Sequence, residues 1–230
     1  MFNTDNEKIN GEMFLYNFLK KKCKVVFDVG VNESIYYLTE KDIDFHLFEP
    51  NPKPYSVLIE KTKDMDNVRV NNIGLGAEDK TLPLYPGCMS LIRRPLLGNE
   101  NRSIDVKITT LDKYVSENSI KHIDFLKIDV EGWELDVIKG SINSLSFISH
   151  IQFEYGGCWT DANLDIKDMM DILSKEGFET FLITSTKLIY VTEMLNHGQY
   201  CNYFSTKKID DVSPIVDLNL QLCGTTIKSF

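Results

Sequence analysis

The sequence predicts an α/β fold, with a central, mostly parallel sheet of about seven strands, the last antiparallel, flanked by helices. Three observations carry this. Short apolar runs such as "KVVFDV", "DFHLFE", "IDFLKIDV" and "FISHIQFEY" recur along the chain, each closing on an acidic or small polar residue. Helical spacing separates several of them, and strands alternating with helices make a parallel sheet with right-handed crossovers. No repeat, low-complexity tract or linker interrupts the 230 residues, so one domain is expected over 1–230.

The elements follow in order. Ile9, Met13, Phe14 and Phe18 sit at helical spacing, which predicts an N-terminal helix within residues 1–22. The core is expected over 24–205. Residues 24–29 form a first strand and 34–40 a helical turn or two with Ser34 as cap. Residues 44–50 form a second strand stopped by Pro50, and 53–63 a helix. "NVRVNNIGLG" (67–76) is a third strand running into a glycine-containing loop, and "KTLPLY" and "SIDVKITTL" are extended segments. Between these two, the long loop 86–102, with Arg93, Arg94 and Arg102, suits a lid over a polar or anionic substrate. Strand 123–130, a helix from Trp133 to Leu145, strand 147–155 and helix 165–176 resume the rhythm. Residues 178–184 with 187–192, and then 199–205, close the sheet as antiparallel pieces, leaving 206–230 as a C-terminal extension.

Composition excludes several classes. A net charge of −9 opposes binding to nucleic acid, and the basic cluster Lys20–Lys24 suits a solvated helix end. No apolar run approaches the length of about 18 residues that a membrane span needs. The polar start "MFNTDNEKINGEM" is unlike an export signal, so a cytoplasmic location is expected. Five cysteines without a Cys-x-x-Cys, and four scattered histidines, suit neither a disulfide framework nor a zinc site.

In open α/β sheets the ligand lies beyond the C-terminal strand ends. Here those ends carry Asp28, Gly30 and Asn32; Glu49, Pro50 and Asn51; Asn72, Ile73 and Gly74; Asp129, Glu131 and Gly132; and Glu154. Glu49 follows Asp28 by 21 residues, where an acid commonly accepts hydrogen bonds from ribose hydroxyls. A dinucleotide would also need a glycine-rich turn for its pyrophosphate, but "DVGVNES" supplies Gly30 alone. A cofactor with adenosine and no phosphate fits better, and S-adenosylmethionine is such a molecule. Gly30 would let the backbone approach its amino-acid tail, and Asp28 would bond its amino group directly or through water. Asp28, Gly30 and Asn32 would equally serve merely to turn the chain.

"VVFDVGVNESIYYL", "FHLFEPNPKPYSVL", "NNIGLG" and "IDFLKIDVEGWELDVIKG" resemble, in order, the motifs of the FkbM family of S-adenosylmethionine-dependent methyltransferases; the match covers about 24–155. This implies a class I methyltransferase fold of Rossmann-like type and methyl transfer to oxygen, usually of a sugar or polyketide hydroxyl. The acceptor is then a small molecule or glycan with a free hydroxyl; oligomeric state stays open. The chain departs from the pattern at Ser34, where the family usually has glycine, and at Glu33, where it has an apolar residue.

Asp129 and Glu131, two apart at a strand end, project to one face if the backbone stays extended, and Glu154 ends the neighbouring strand in the usual order of this fold. A carboxylate beside the methyl donor can orient the acceptor hydroxyl and take its proton. Asp129, Glu131 and Glu154 are therefore the candidate catalytic acids, with no metal expected. Alternatives are a hard cation such as Mg²⁺ held by all three, and Glu131 as a cap of the following helix. Trp133 and Trp159 are candidates for stacking on a sugar ring. At the level of function the alternatives are a non-catalytic Rossmann-like module with a degenerate cofactor site, and a nucleotide-sugar-binding enzyme.

Overall fold

The computed structural model describes residues 9–35, 37–87, 89–93 and 102–229. The N-terminal helix α1 (Glu12–Leu19) ends in a 3-10 turn, Lys20–Lys22. The basic cluster there is spent on ion pairs: Lys20 with Glu40 at 2.8 Å, Lys22 with Asp211 at 2.9 Å and Lys24 with Asp42 at 2.5 Å.

Strands β1 (Val25–Val29), β2 (Asp44–Phe48) and β3 (Val68–Asn71) lie side by side in parallel. Helix α2 (Pro52–Thr62) crosses between the last two, started by Asn51, whose side chain accepts the Lys53 N–H, and by Pro52, whose fixed φ suits a first turn. A small second sheet follows: β4 (Gly74–Leu75), β5 (Lys80–Leu84) and β6 (Ile104–Thr109), in the order β4-β6-β5. Then come α3 (Leu111–Glu117), β7 (Ile123–Ile128), α4 (Glu134–Lys139), β8 (Ile148–Tyr155), α5 (Gly157–Asp161) and α6 (Ile166–Lys175). The chain closes with β9 (Glu179–Ile183), β10 (Leu188–Met194), β11 (Cys201–Thr206), α7 (Ile209–Val212), β12 (Val216–Gly224) and β13 (Thr226–Ser229).

The large sheet has ten strands in the order β13-β12-β10-β9-β11-β8-β7-β1-β2-β3. β3, β2, β1, β7 and β8 are parallel neighbours, as expected. β11 runs antiparallel between β8 and β9, β10 runs antiparallel to β9 with β12 parallel to it, and β13 turns back on β12, so three strands oppose the other seven where one antiparallel strand was expected. Both faces are buried along β1, β2, β7 and β8, as parallel strands require. Along β1, Phe27 and Val29 join one apolar cluster and Val26 the other.

Four differences from the sequence reading have physical causes. Residues 31–35 and 37–39 form turns closed by Ser34 N–H to Val31 O and Leu38 N–H to Ile35 O, and neither a helix nor a Ser34 cap is seen among the described residues. Tyr37 is drawn inward instead: its hydroxyl bonds Asp28 and its carbonyl accepts the Tyr16 hydroxyl. The helix expected from Trp133 to Leu145 stops at Lys139, with a separate 3-10 turn at Ser144–Phe147, where Asp112 accepts from Asn143 and Ser144. Short α3 was not expected; Thr110 starts it by accepting the Lys113 N–H. The C-terminal extension pairs into the sheet as β12 and β13, so the sheet exceeds the seven strands expected. Residues 94–101 of the expected lid, Arg94 included, lie outside the described residues.

Candidate active site

A cleft of about 530 Å³ opens over the C-terminal ends of β1, β2, β7 and β8, within the size range of small-molecule sites. Of the residues predicted for the site, Gly30, Asn32, Glu49, Pro50, Asn51, Gly74, Asp129, Glu131 and Glu154 border it.

The β1 turn works because Gly30 takes φ +90°; a side chain there would place its Cβ 1.8 Å from the Asp129 carbonyl oxygen. Asn32 is also left-handed, at φ +53°. Its N–H donates to Glu49 Oε2 at 2.8 Å, while the Asn51 N–H donates to Oε1 at 2.8 Å. Buried Glu49 thus locks the β1 and β2 ends together, and each oxygen keeps lone-pair capacity toward the cleft. Burial pushes its carboxyl above the usual range, opposed by these two N–H groups.

Three predicted cofactor residues are off the cleft wall. Asp28 points away because the strand alternates and Val29 takes the cleft side. It lines a neighbouring cavity of about 20 Å³ with Glu12, Tyr16, Tyr37, Lys127 and Gln152, room for about one water. One Asp28 oxygen accepts from Tyr37 and the other has no protein partner. Burial raises its carboxyl. A direct contact from Asp28 to a ligand in the cleft is therefore not what this arrangement offers. Asn72 works from behind, donating to the carbonyls of Glu49 at 2.9 Å and Pro50 at 3.0 Å. Ile73 packs against the core.

The three candidate catalytic acids do meet: oxygens of Asp129, Glu131 and Glu154 lie within 4.8 Å of one another, a spacing one oxygen-bound cation can span. Strand alternation is not what brings them together. β7 ends at Ile128, and the chain turns through Glu131 (φ +55°) and Gly132 (φ +97°). Burial first, then the charges of Asp129 and Glu131, push Glu154 up to about 10, so it holds a proton at neutral pH. Glu131 Oε2 accepts the Cys158 thiol at 2.7 Å, and its carbonyl accepts the hydroxyl of buried Ser90 at 2.7 Å. Asp129 pairs with Lys127 Nζ at 3.3 Å, and Lys127 in turn reaches Glu12 Oε2 at 3.4 Å.

The Methyltransferase FkbM domain model matches residues 28–180. This chain belongs to that family. Hexuronic acid methyltransferase AglP of Haloferax volcanii is 24% identical over 177 residues, covering 75% of this chain and 72% of that protein. 2-O-methyltransferase NoeI of Sinorhizobium fredii is 22% identical over 181 residues, covering 69% and 74%. Among solved structures, methyltransferase FkbM from Methylobacillus flagellatus aligns with a TM-score of 0.51 at 16% identity, over 79% of this chain and 43% of that one. The likeness to that longer protein shows the fold: a class I methyltransferase.

The geometry of this methyltransferase adds residues the sequence did not single out for the site. The N-cap position of α4 is Trp133, without a side-chain cap, so Glu131 does not cap it. Glu134, buried at the start of α4, accepts the N–H groups of Val130 and Gly132 at 3.1 Å and holds the acidic turn. Burial raises it to about 8. Glu12, Asn10, Met89, Leu91 and Lys127 border the cleft. Only the position of Lys127, two residues before Asp129 on the same strand, was a visible signal. Trp133 borders the cleft as well, whereas Trp159 is buried and donates to the Glu154 carbonyl, a core role. Glu33 is an exposed rim residue; its carbonyl accepts from Lys61 Nζ at 2.8 Å, which sets a cation beside it.

Proposed function

We propose that this enzyme is an O-methyltransferase that takes its methyl group from S-adenosylmethionine and places it on a hydroxyl of a sugar or glycan intermediate. The observation that carries the reading is the meeting of Asp129, Glu131 and Glu154 on the wall of the cleft that Glu49 and the Gly30 turn also border. The two named relatives, one acting on hexuronic acid and one a 2-O-methyltransferase, support it.

The chain's residues fit this donor. Glu49 has lone pairs for two ribose hydroxyls, and Pro50, Asn51 and Gly74 wall the place beside it. Gly30 and Asn32 would hold its amino-acid tail, and Asp28 would reach that tail only through a water in its small cavity. When bound, the cofactor supplies an activated methyl on a cationic sulfur. The protein must hold the acceptor oxygen in line with it and take the hydroxyl proton. Asp129 is the best placed of the three acids for this. Glu154 already carries its proton at neutral pH and can donate a hydrogen bond to the acceptor, and Glu131 is engaged by Cys158. Asp129 would accept the hydroxyl proton as the acceptor oxygen gains the methyl group and the donor's S–CH₃ bond is lost, which would leave S-adenosylhomocysteine, neutral at sulfur, as product.

The test is incubation with methyl-labelled S-adenosylmethionine and a panel of p-nitrophenyl glycosides, including a fucoside, a galactoside and a glucuronide. Label recovered in an alkali-stable ether supports the reading. Label only in an alkali-labile ester would place transfer on a carboxyl group instead.

A further inference from the structure

Lys127 stands out among the residues around the cleft. Lysine is rarely buried unless paired, yet its side chain is 15% exposed. Glu12, Glu33, Glu49, Asp129, Glu131 and Glu154 border the cleft, whereas its lysines are exposed Lys53 and Lys127. Lys127 lies between Glu12 of α1 and Asp129 of its own strand, at 3.4 and 3.3 Å, and shares the small cavity with Asp28 of β1. Glu12 is itself held: Asn10 Nδ2 donates to its Oε1 at 2.7 Å and Asn202 Nδ2 at 3.3 Å. The ammonium is thus built into the acidic end of the cleft.

Methyl transfer spends the positive charge of a sulfonium, so a carboxylate that binds the cationic donor tightly loses that attraction on the way to the transition state and raises the barrier. We propose that Lys127 is a positioning residue that sets the charge of the cleft floor: by pairing with Asp129 and Glu12 it limits the pull of the carboxylates on the cationic donor. The proton held by Glu154 works in the same direction. The inference rests on the reading that the cleft takes S-adenosylmethionine.

The test compares the affinities of S-adenosylmethionine, which is cationic at sulfur, and S-adenosylhomocysteine, which is neutral there, by calorimetry and without an acceptor. The ratio of the two affinities reports the charge felt at sulfur and cancels contacts common to both. In Lys127→Met the preference for the sulfonium is expected to rise by roughly 3- to 30-fold, the effect of one uncompensated charge in a partly buried site. Lys127→Arg should keep the wild-type ratio, and Glu12→Gln, which removes a negative charge, should lower it. Opposite shifts are not the signature of a merely structural role. An unchanged ratio in folded Lys127→Met overturns the proposal; should that variant not fold, an unchanged ratio in Glu12→Gln overturns it. Wild-type protein that binds neither molecule would instead remove the donor assignment itself, and with it the basis of this inference.

Discussion

Asp129 and Glu154 lie in one acidic cluster but have different surroundings, and that difference makes their roles separable. Asp129 faces an ammonium at 3.3 Å, while burial and its acidic neighbours keep Glu154 protonated. Asp129→Asn keeps size and loses the base, so affinity for S-adenosylhomocysteine, neutral at sulfur, should survive while methyl transfer falls by roughly 10²- to 10⁴-fold; steady-state kinetics beside calorimetry checks this. Full activity in that variant would end the assignment. EDTA should leave wild-type turnover unchanged if the base acts directly. Inhibition reversed by Mg²⁺ would make the three carboxylates cation ligands. Glu154 also marks the pH dependence of stability. Its folded value, about 10, lies above the ordinary 4.5, so between these limits the folded state binds more protons and stability falls as pH rises. Glu154→Gln should flatten that fall, visible as a smaller loss of urea midpoint from pH 6 to pH 9 than in wild type.

Among the elements, the connections from strand to following residue carry the site, and they were unevenly legible in the sequence. The acidic strand ends could be read because each apolar run stops on a polar residue; Glu49 and the Asp129–Glu131 pair are where that pattern put them. Side-chain direction could not be read once the backbone left the extended state. Asp28 turns away from the cleft by simple alternation, whereas Glu131 reaches it only through a left-handed turn. The helix expected after β1 failed because Tyr37 bonds across to Asp28, a contact between a turn and a buried strand that local spacing does not encode. Gly30 is the most demanding joint. Gly30→Ala should cost roughly 3 kcal/mol or more, since the added carbon meets backbone and φ is positive. A denaturant midpoint near that of wild type would refute this. Asn51→Ala removes only the α2 cap and should cost about 1 kcal/mol.

For the molecule as a whole, the parallel core followed from the β/α rhythm, while its strand order and the C-terminal strands did not. β12 follows no crossover helix of the earlier kind, and its place beside β10 is a long-range pairing, on which β13 folds back as a hairpin. The fold also stores neutral histidines. Burial lowers His46 and His150 to about 4. Between that value and the ordinary 6.5 the unfolded chain binds more protons, so stability should drop as pH falls through this window. The double variant His46→Gln with His150→Gln should be less sensitive to acid, by thermal unfolding at pH 7 and pH 4.5, whatever its stability at neutral pH.

The catalytic readings rest on one assignment, that the cleft bordered by Gly30 and Glu49 is where the methyl donor sits. Calorimetric titration of S-adenosylhomocysteine into wild type and Glu49→Ala tests it most directly. Saturable one-to-one binding to wild type is expected, weakened by roughly 1–3 kcal/mol in the variant, the scale of hydrogen bonds lost to a charged group. No binding to folded wild type, or equal affinity in Glu49→Ala, would contradict it.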